Sequence, residues 1–353
     1  MKRIFFFIFG LTLLLGCQKE EITISTRAAD HFFLKTNGAS MPVRVYGNTA
    51  SKTYMIMVHG GPGGDAIEYR IINTLVEKVE AKYAVVYWDQ RNSGISQGGA
   101  NGGYNQVADF VADFEKLITL LKYRYGADIS IFVNGHSWGG HLTPAFLQKD
   151  NNQYSVKGWI HSDGAHNIPL LNQYAIEKML EKAEVEIQAG RNVKDWQEIK
   201  AYCLSVKPPF TAENSLKINT YAAKAESLTE EVPKSKYGVV ERLNNYDREN
   251  TPLTQLLLKP FGNPVITSLV DRLFGHGDSQ LSDNMHRITI PTLILFGKHD
   301  YVCPPKLGDD VESRILSAYK RKVLFEHSGH GPMGGADEVA YWDEVMAFIE
   351  RFR

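Results

Sequence analysis

The stretch Val133-Asn134-Gly135-His136-Ser137-Trp138-Gly139-Gly140 sets one serine between glycines two positions away on each side. The apolar run ISIFV precedes it, and WGGHLTPAFLQ, which reads as the start of a helix, follows. A strand that turns sharply into a helix crowds neighbouring chain segments, so positions around the turn must lack side chains. The turn also lifts a hydroxyl to a helix N-terminus, where developing negative charge is favoured. This is the pattern of a nucleophile for acyl transfer. Such a serine needs a base, and the base needs an orienting acid. Asp300 closes LILFGKHD and His330 lies in FEHSGH, so serine, acid and histidine follow one another in the chain. His330 sits past Gly329 on a loop and is preferred to His327, which falls at a strand end. Asp300 is preferred to Asp163, which ends an earlier strand. The glycine-rich HGGPGGD, His59–Asp65, follows the YMIMV run and lets backbone approach a substrate closely. The expected oxyanion donors are the backbone N–H groups of Gly61 and Trp138. The spacing and lysine of a phosphate-binding loop are absent from this segment.

HSDGAH brings His161, Asp163 and His166 together, as a metal site would. No further ligand set is recognisable, so no metal and no organic cofactor is expected. These residues are expected to line the mouth of the site or to make local hydrogen bonds.

The elements that must position these residues are legible in the hydrophobic pattern. HFFLKTNG and SMPVRVYG read as a hairpin joined at Asn37-Gly38. YMIMVHG, AVVYWDQ, ISIFVNG and VKGWIHSDG are short apolar runs closed by Gly or Asp, as in strands of a parallel sheet buried on both faces. Between them, Val107, Phe110, Val111, Phe114, Leu117, Ile118 and Leu121 form one helical stripe. Alternating strand and helix predicts an α/β architecture with right-handed crossovers. From about 168 to 286 the pattern is helical and rich in Lys, Glu, Gln and Asn, with NQYAIEKMLEKAEVEIQ the clearest helix. PTLILFGKHD and KVLFEHSG then resume the sheet, and a last helix presents Val339, Trp342, Val345, Ile349 and Phe352. Pro144 stands inside the helix expected after Ser137, where it removes a donor to the Gly140 carbonyl.

With 353 residues, 43% hydrophobic and 22% charged, the chain has the composition of a globular protein. A formal net charge of -1 carries no basic excess, which argues against a nucleic-acid partner. Lys2 and Arg3 precede an apolar run from Ile4 to Leu15, too short to span a membrane comfortably but suited to a signal peptide. It ends in LLGC, which resembles a bacterial lipobox with Cys17 as the lipidated residue. The implied location is the bacterial envelope, anchored by lipid to the outer membrane. The charged QKEE, Gln18–Glu21, fits a surface-export signal and equally a solvated tether, so both faces of that membrane stay open. Cys203 and Cys303 remain, as a disulfide or as two separate buried thiols.

Together, HGGPGG, GHSWG and the late Asp300 and His330 resemble the α/β-hydrolase superfamily over about residues 50 to 350. WDQRNSGIS, Trp88–Ser96, makes the chain look more specifically like the proline iminopeptidase family of serine peptidases, although Asn92 stands where that family usually has glycine. The resemblance implies a mostly parallel sheet flanked by helices, with an inserted helical cap. The division is a signal peptide over 1–16, a tether over 17–29, a core over 30–166 and 288–353, and the cap over 167–287. It implies Ser137, Asp300 and His330 as the triad, Gly61 and Trp138 as the oxyanion donors, and Asp89 and Arg91 as residues holding a rim loop. The implied activity is release of an N-terminal residue, often proline, from short peptides, with cap carboxylates holding the free amine. Glu177, Glu181, Glu184 and Glu186 are spaced as on any solvated helix, so none is singled out. His136 before the serine is shared with esterases and other hydrolases, which leaves an ester, thioester or other small acyl substrate as the alternative. A surface binding protein of the same fold without turnover is the third reading.

Overall fold

The computed structural model describes residues 30–98, 106–248, 269–273 and 280–353. The first hairpin forms as its turn residues require. Strands β1 (Asp30–Thr36) and β2 (Ala39–Gly47) pair from Asp30 opposite Val45 to Thr36 opposite Ala39. Asn37 and Gly38 take φ of 47° and 73°, the left-handed pair of a tight hairpin. The remaining strands are β3 (Thr53–Val58), β4 (Ala84–Trp88), β5 (Gln97–Gly98), β6 (Ser130–His136), β7 (Gly158–Ser162), β8 (Thr292–Gly297) and β9 (Lys320–Phe325). They form a nine-stranded sheet in the order β1-β2-β4-β3-β6-β7-β8-β9, with β5 on β2. Pairing is antiparallel at the β2 end and parallel from β4 through to β9.

The central strands are apolar throughout because both faces are covered. Tyr54, Ile56 and Val58 of β3 join Val86 and Val133 in one core, while Met55 and Met57 point to the other with Val85 and Phe132. This is the period of two expected of a pleated strand. The first core is closed by α1 (Val107–Tyr125) and α2 (Gly139–Gln148), and the second by α8 (Glu338–Phe352). Every residue of the predicted α1 stripe is buried. In α8 the expectation needs one correction: Val339 is 52% exposed, and Tyr341 and Phe348 join Trp342, Val345 and Ile349 on the buried face. Helix α2 runs through Pro144 without ending.

Between β7 and β8 lie α3 (Ile168–Gln188), α4 (Val193–Ser205), α5 (Ala212–Leu228) and α6 (Val239–Arg248). Asn167 caps α3 and Thr211 caps α5 in a capping box, so each start is encoded locally. Helices α3 to α5 pack around Met179, Trp196, Ile199 and Ile218, a small core of their own that also takes in Cys203. Cys203 and Cys303 are both free and buried, not bonded to each other. After β8, α7 (Lys306–Arg314) returns the chain to β9. Because β3, β6, β7, β8 and β9 run parallel, their carboxyl ends share one edge. His59, Ser137, Asp163, Asp300 and His330 all follow those ends.

Candidate active site

Ser137 stands between β6 and α2 with φ at 55°, in the left-handed region that non-glycine residues rarely enter. That conformation costs on the order of 1–3 kcal/mol and persists only where the surroundings over-determine it. Here they do: Ser137 N–H donates to the Ser162 carbonyl at 3.2 Å, and its own carbonyl accepts from Gly140 N–H at 2.9 Å and Ala165 N–H at 3.1 Å. Gly139 is required by contact, since a Cβ there would lie 1.9 Å from the Val58 carbonyl oxygen.

The segment after β3 is tied to the segments around Trp88 and Ser137. His59 Nδ1 donates to the Gly60 carbonyl at 2.7 Å, which leaves Nε2 to accept the Gln90 N–H at 3.2 Å. Gln90 Nε2 donates to the His59 carbonyl at 3.1 Å, and Gln90 Oε1 accepts the Trp138 indole N–H at 2.8 Å. The Trp138 side chain therefore has a structural partner, while its backbone amide, like that of Gly61, meets no hydrogen-bond acceptor among the described residues. Gly61 holds φ at 128°, open only to glycine. Gly61, Ser137 and His330 line one cavity of about 800 Å³. Asp89 ties the segment after Asp65 to the one after Gly94, accepting the Ala66 N–H at 3.0 Å and the Ile95 N–H at 3.1 Å, and Arg91 pairs with Asp113 at 2.6 and 2.7 Å with both side chains fully buried.

Asp300 and His330 meet directly, with His330 Nδ1 2.8 Å from Asp300 Oδ2. The carboxylate can only accept, so Nδ1 carries the proton and Nε2 is the basic nitrogen. The second oxygen, Asp300 Oδ1, accepts the Cys303 N–H at 2.7 Å. Burial alone would lower the His330 pKa, but the Asp300 charge and hydrogen bond outweigh it and raise it to about 9, with Glu226 adding to the rise. Ser137 Oγ and the His330 ring share the cavity without a hydrogen bond between them. Such contacts commonly tighten only when substrate binds. His327 is exposed, and its backbone N–H is held by Asp337 at 2.9 Å.

Sequence patterning missed Glu226. It projects from α5 into the same cavity, and its carboxylate accepts the His330 backbone N–H at 2.9 and 3.0 Å. Burial, then repulsion from Asp300, raises its pKa to about 7. Nothing in its helical spacing separates it from a surface glutamate. Among the glutamates left aside, Glu177 pairs with Lys306, Glu184 with Lys200, and Glu186 with Arg191 and Lys182.

His136, to which the sequence assigns no role in the site, also lines the cavity. The Tyr69 hydroxyl accepts the Gly60 N–H at 3.2 Å and lies 2.8 Å from His136 Nδ1. Burial pushes the Tyr69 pKa far up, so it keeps its proton and donates it to Nδ1. Burial, reinforced by a charged His330, holds His136 well below the usual histidine range, so the ring is neutral and Nε2 carries its hydrogen. The His136 and His330 rings lie 4.9 Å apart. His161 and His166 do not line the mouth: both are fully buried, with His166 Nε2 on Asp310 at 2.9 Å and His161 between Trp159 and Phe296. Among the described residues, the one group of potential metal ligands is His136, Asp163 and His330, each offering an atom within 4.8 Å of the others. Cys17 lies outside the described residues, as do the segments expected to be a signal peptide and a tether.

Residues 53–334 match a protein family described as alpha/beta hydrolase fold. A proline iminopeptidase from Saccharolobus solfataricus is 23% identical over 318 residues, covering 89% of this chain and 87% of the relative. The structure resembles that of a Mycobacterium smegmatis proline iminopeptidase with a TM-score of 0.64 at 17% identity, over 92% of this chain and 98% of the other. It also resembles an esterase from Exiguobacterium antarcticum, with a TM-score of 0.58 at 18% identity, over 91% of this chain and 100% of the other.

Proposed function

The chain belongs to the α/β-hydrolase fold family, and on that premise we propose that it is a serine hydrolase that releases the N-terminal residue of short peptides. In this reading Ser137 Oγ attacks the scissile carbonyl while His330 Nε2 takes its proton. Asp300 holds the His330 tautomer and stabilises the imidazolium. The Gly61 and Trp138 amides receive the oxyanion of the tetrahedral intermediate. Collapse passes the proton from His330 to the leaving amine and leaves an ester on Ser137. Water, deprotonated by His330, then hydrolyses that ester and restores the serine. No metal or organic cofactor has a part in these steps.

The observation that carries the peptidase reading is Glu226. A carboxylate in the cavity of Ser137 and His330 is a ready partner for a substrate ammonium group. The named relatives and the fold likeness support the same direction. One observation favours the alternative, hydrolysis of an ester, thioester or other small acyl group. Both Glu226 oxygens already accept the His330 N–H, so the residue can serve as a brace alone. A substrate panel separates the two: kcat/KM for prolyl and alanyl amides, the same amides N-blocked, and simple esters. The peptidase reading expects strong preference for free N-termini. Equal cleavage of blocked and free amides overturns it in favour of the acyl-hydrolase reading. A lipid anchor at Cys17 and residence at the outer membrane belong to this proposal too and rest on the leading sequence. Among the described residues no helix is long and apolar enough to cross a membrane.

A further inference from the structure

We infer that Asp163 is a second acid for His330, held beside Asp300 and able to take the Nδ1–H when the Asp300 carboxylate is gone. This rests on the triad reading above and adds a positioning residue to it. The two acids end neighbouring parallel strands, β7 and β8, which pair at Ser162 and Leu295. Asp163 is fixed there from its backbone. Its N–H donates to the Leu295 carbonyl at 2.9 Å, and its φ is 43°, left-handed. The two carboxyl groups are held by the same device. Asp163 Oδ1 accepts the Gly297 N–H at 2.9 Å, as Asp300 Oδ1 accepts the Cys303 N–H at 2.7 Å. In each case the other oxygen is left to act. Asp300 Oδ2 takes His330 Nδ1, whereas Asp163 Oδ2 is buried with no partner among the described residues. One Asp163 oxygen, one His330 nitrogen and one His136 nitrogen all lie within 4.8 Å of one another.

An unpartnered buried carboxylate is costly, and neutralisation is the usual escape. Burial, then the Asp300 charge, drives the Asp163 pKa well above the carboxylate range, which favours keeping a proton on it. The titratable groups around it are Asp300, His330, Glu226, His136, Cys303, Tyr69 and Tyr341. Among these, Asp300 contributes the largest charge effect against ionising Asp163. Remove that charge and Asp163 can release its proton to solvent and accept from His330. A purely structural Asp163 would need only to hold the Gly297 N–H, which the Oδ1 of asparagine also does.

The test is a double-mutant cycle on the full chain with Asp163→Asn, Asp300→Asn and both together. The readout is the rate of Ser137 labelling by a fluorophosphonate across pH, with thermal melts to confirm that each variant is folded. The expected result is that Asp163→Asn costs at least about 10-fold more in the Asp300→Asn background than in the wild type, a coupling of ordinary size for contacting groups. The acidic limb of Asp300→Asn, which reports the neutral fraction of His330, should also lie at higher pH than that of the double variant, because a charged Asp163 raises the His330 pKa. Equal cost in both backgrounds, or the same pH profile in both, overturns the inference while leaving the serine-hydrolase reading intact. Failure of the wild type to label at all sinks that reading, and this inference with it.

Discussion

Replacing Glu226 by glutamine should slow cleavage of free-amine substrates without slowing that of simple esters. The amide is nearly isosteric and keeps one oxygen to accept the His330 N–H, now held at 2.9 Å. It removes the negative charge. A substrate ammonium bound to that carboxylate loses a charge-assisted hydrogen bond worth about 1.5–3 kcal/mol. This corresponds to a drop of roughly 10- to 150-fold in kcat/KM for free-amine substrates. A simple ester has no ammonium to lose. For it the dominant effect is on His330, whose pKa Glu226 helps to raise. Without that charge a larger neutral fraction is present near pH 7, so ester cleavage should hold steady or rise, and its acidic limb should move to lower pH. The assay is kcat/KM for an alanyl or prolyl amide and for a simple ester, on one preparation, over a range of about pH 5–10. Equal losses on both substrates would refute amine recognition by Glu226. An unmoved acidic limb would refute its electrostatic hold on His330.

Other consequences follow from the same geometry. Because the His330 pKa is raised above 6.5, toward about 9, the neutral base gains population as pH rises, and ester kcat/KM should climb through the neutral range. Asp300→Asn should shift that limb downward as well as slow the reaction; a wild-type limb at or below 6.5 would contradict the Asp300–His330 coupling. Asp113→Asn would strand the Arg91 guanidinium, which is fully buried, at a cost of about 3–5 kcal/mol. Urea denaturation should show that loss, and a change below about 1 kcal/mol, the scale of a surface ion pair, would mean the pair is not sealed from water.

Much of the candidate site's geometry was legible because it depends on chain order and backbone. The apolar runs marked the strand ends, and strand ends carry His59, Ser137, Asp300 and His330. Asn37-Gly38 announced its own hairpin. What escaped was set by tertiary approach. Glu226 has the spacing of a solvated helix and matters only because α5 lays it against Gly329 and His330. His136 follows strand alternation, and nothing in the sequence says that Tyr69 fixes its tautomer. Val339 can be counted into the helical stripe of α8 by spacing, but its first turn buries Glu338 and Tyr341 instead and leaves Val339 facing solvent.

The central claim is that Ser137 is the nucleophile. The direct measurement is to react the protein with a fluorophosphonate and locate the adduct by peptide mass spectrometry. A single adduct on Ser137, absent in Ser137→Ala, is the predicted result. No adduct on the wild type, equal labelling of Ser137→Ala, or an adduct on another residue would contradict it.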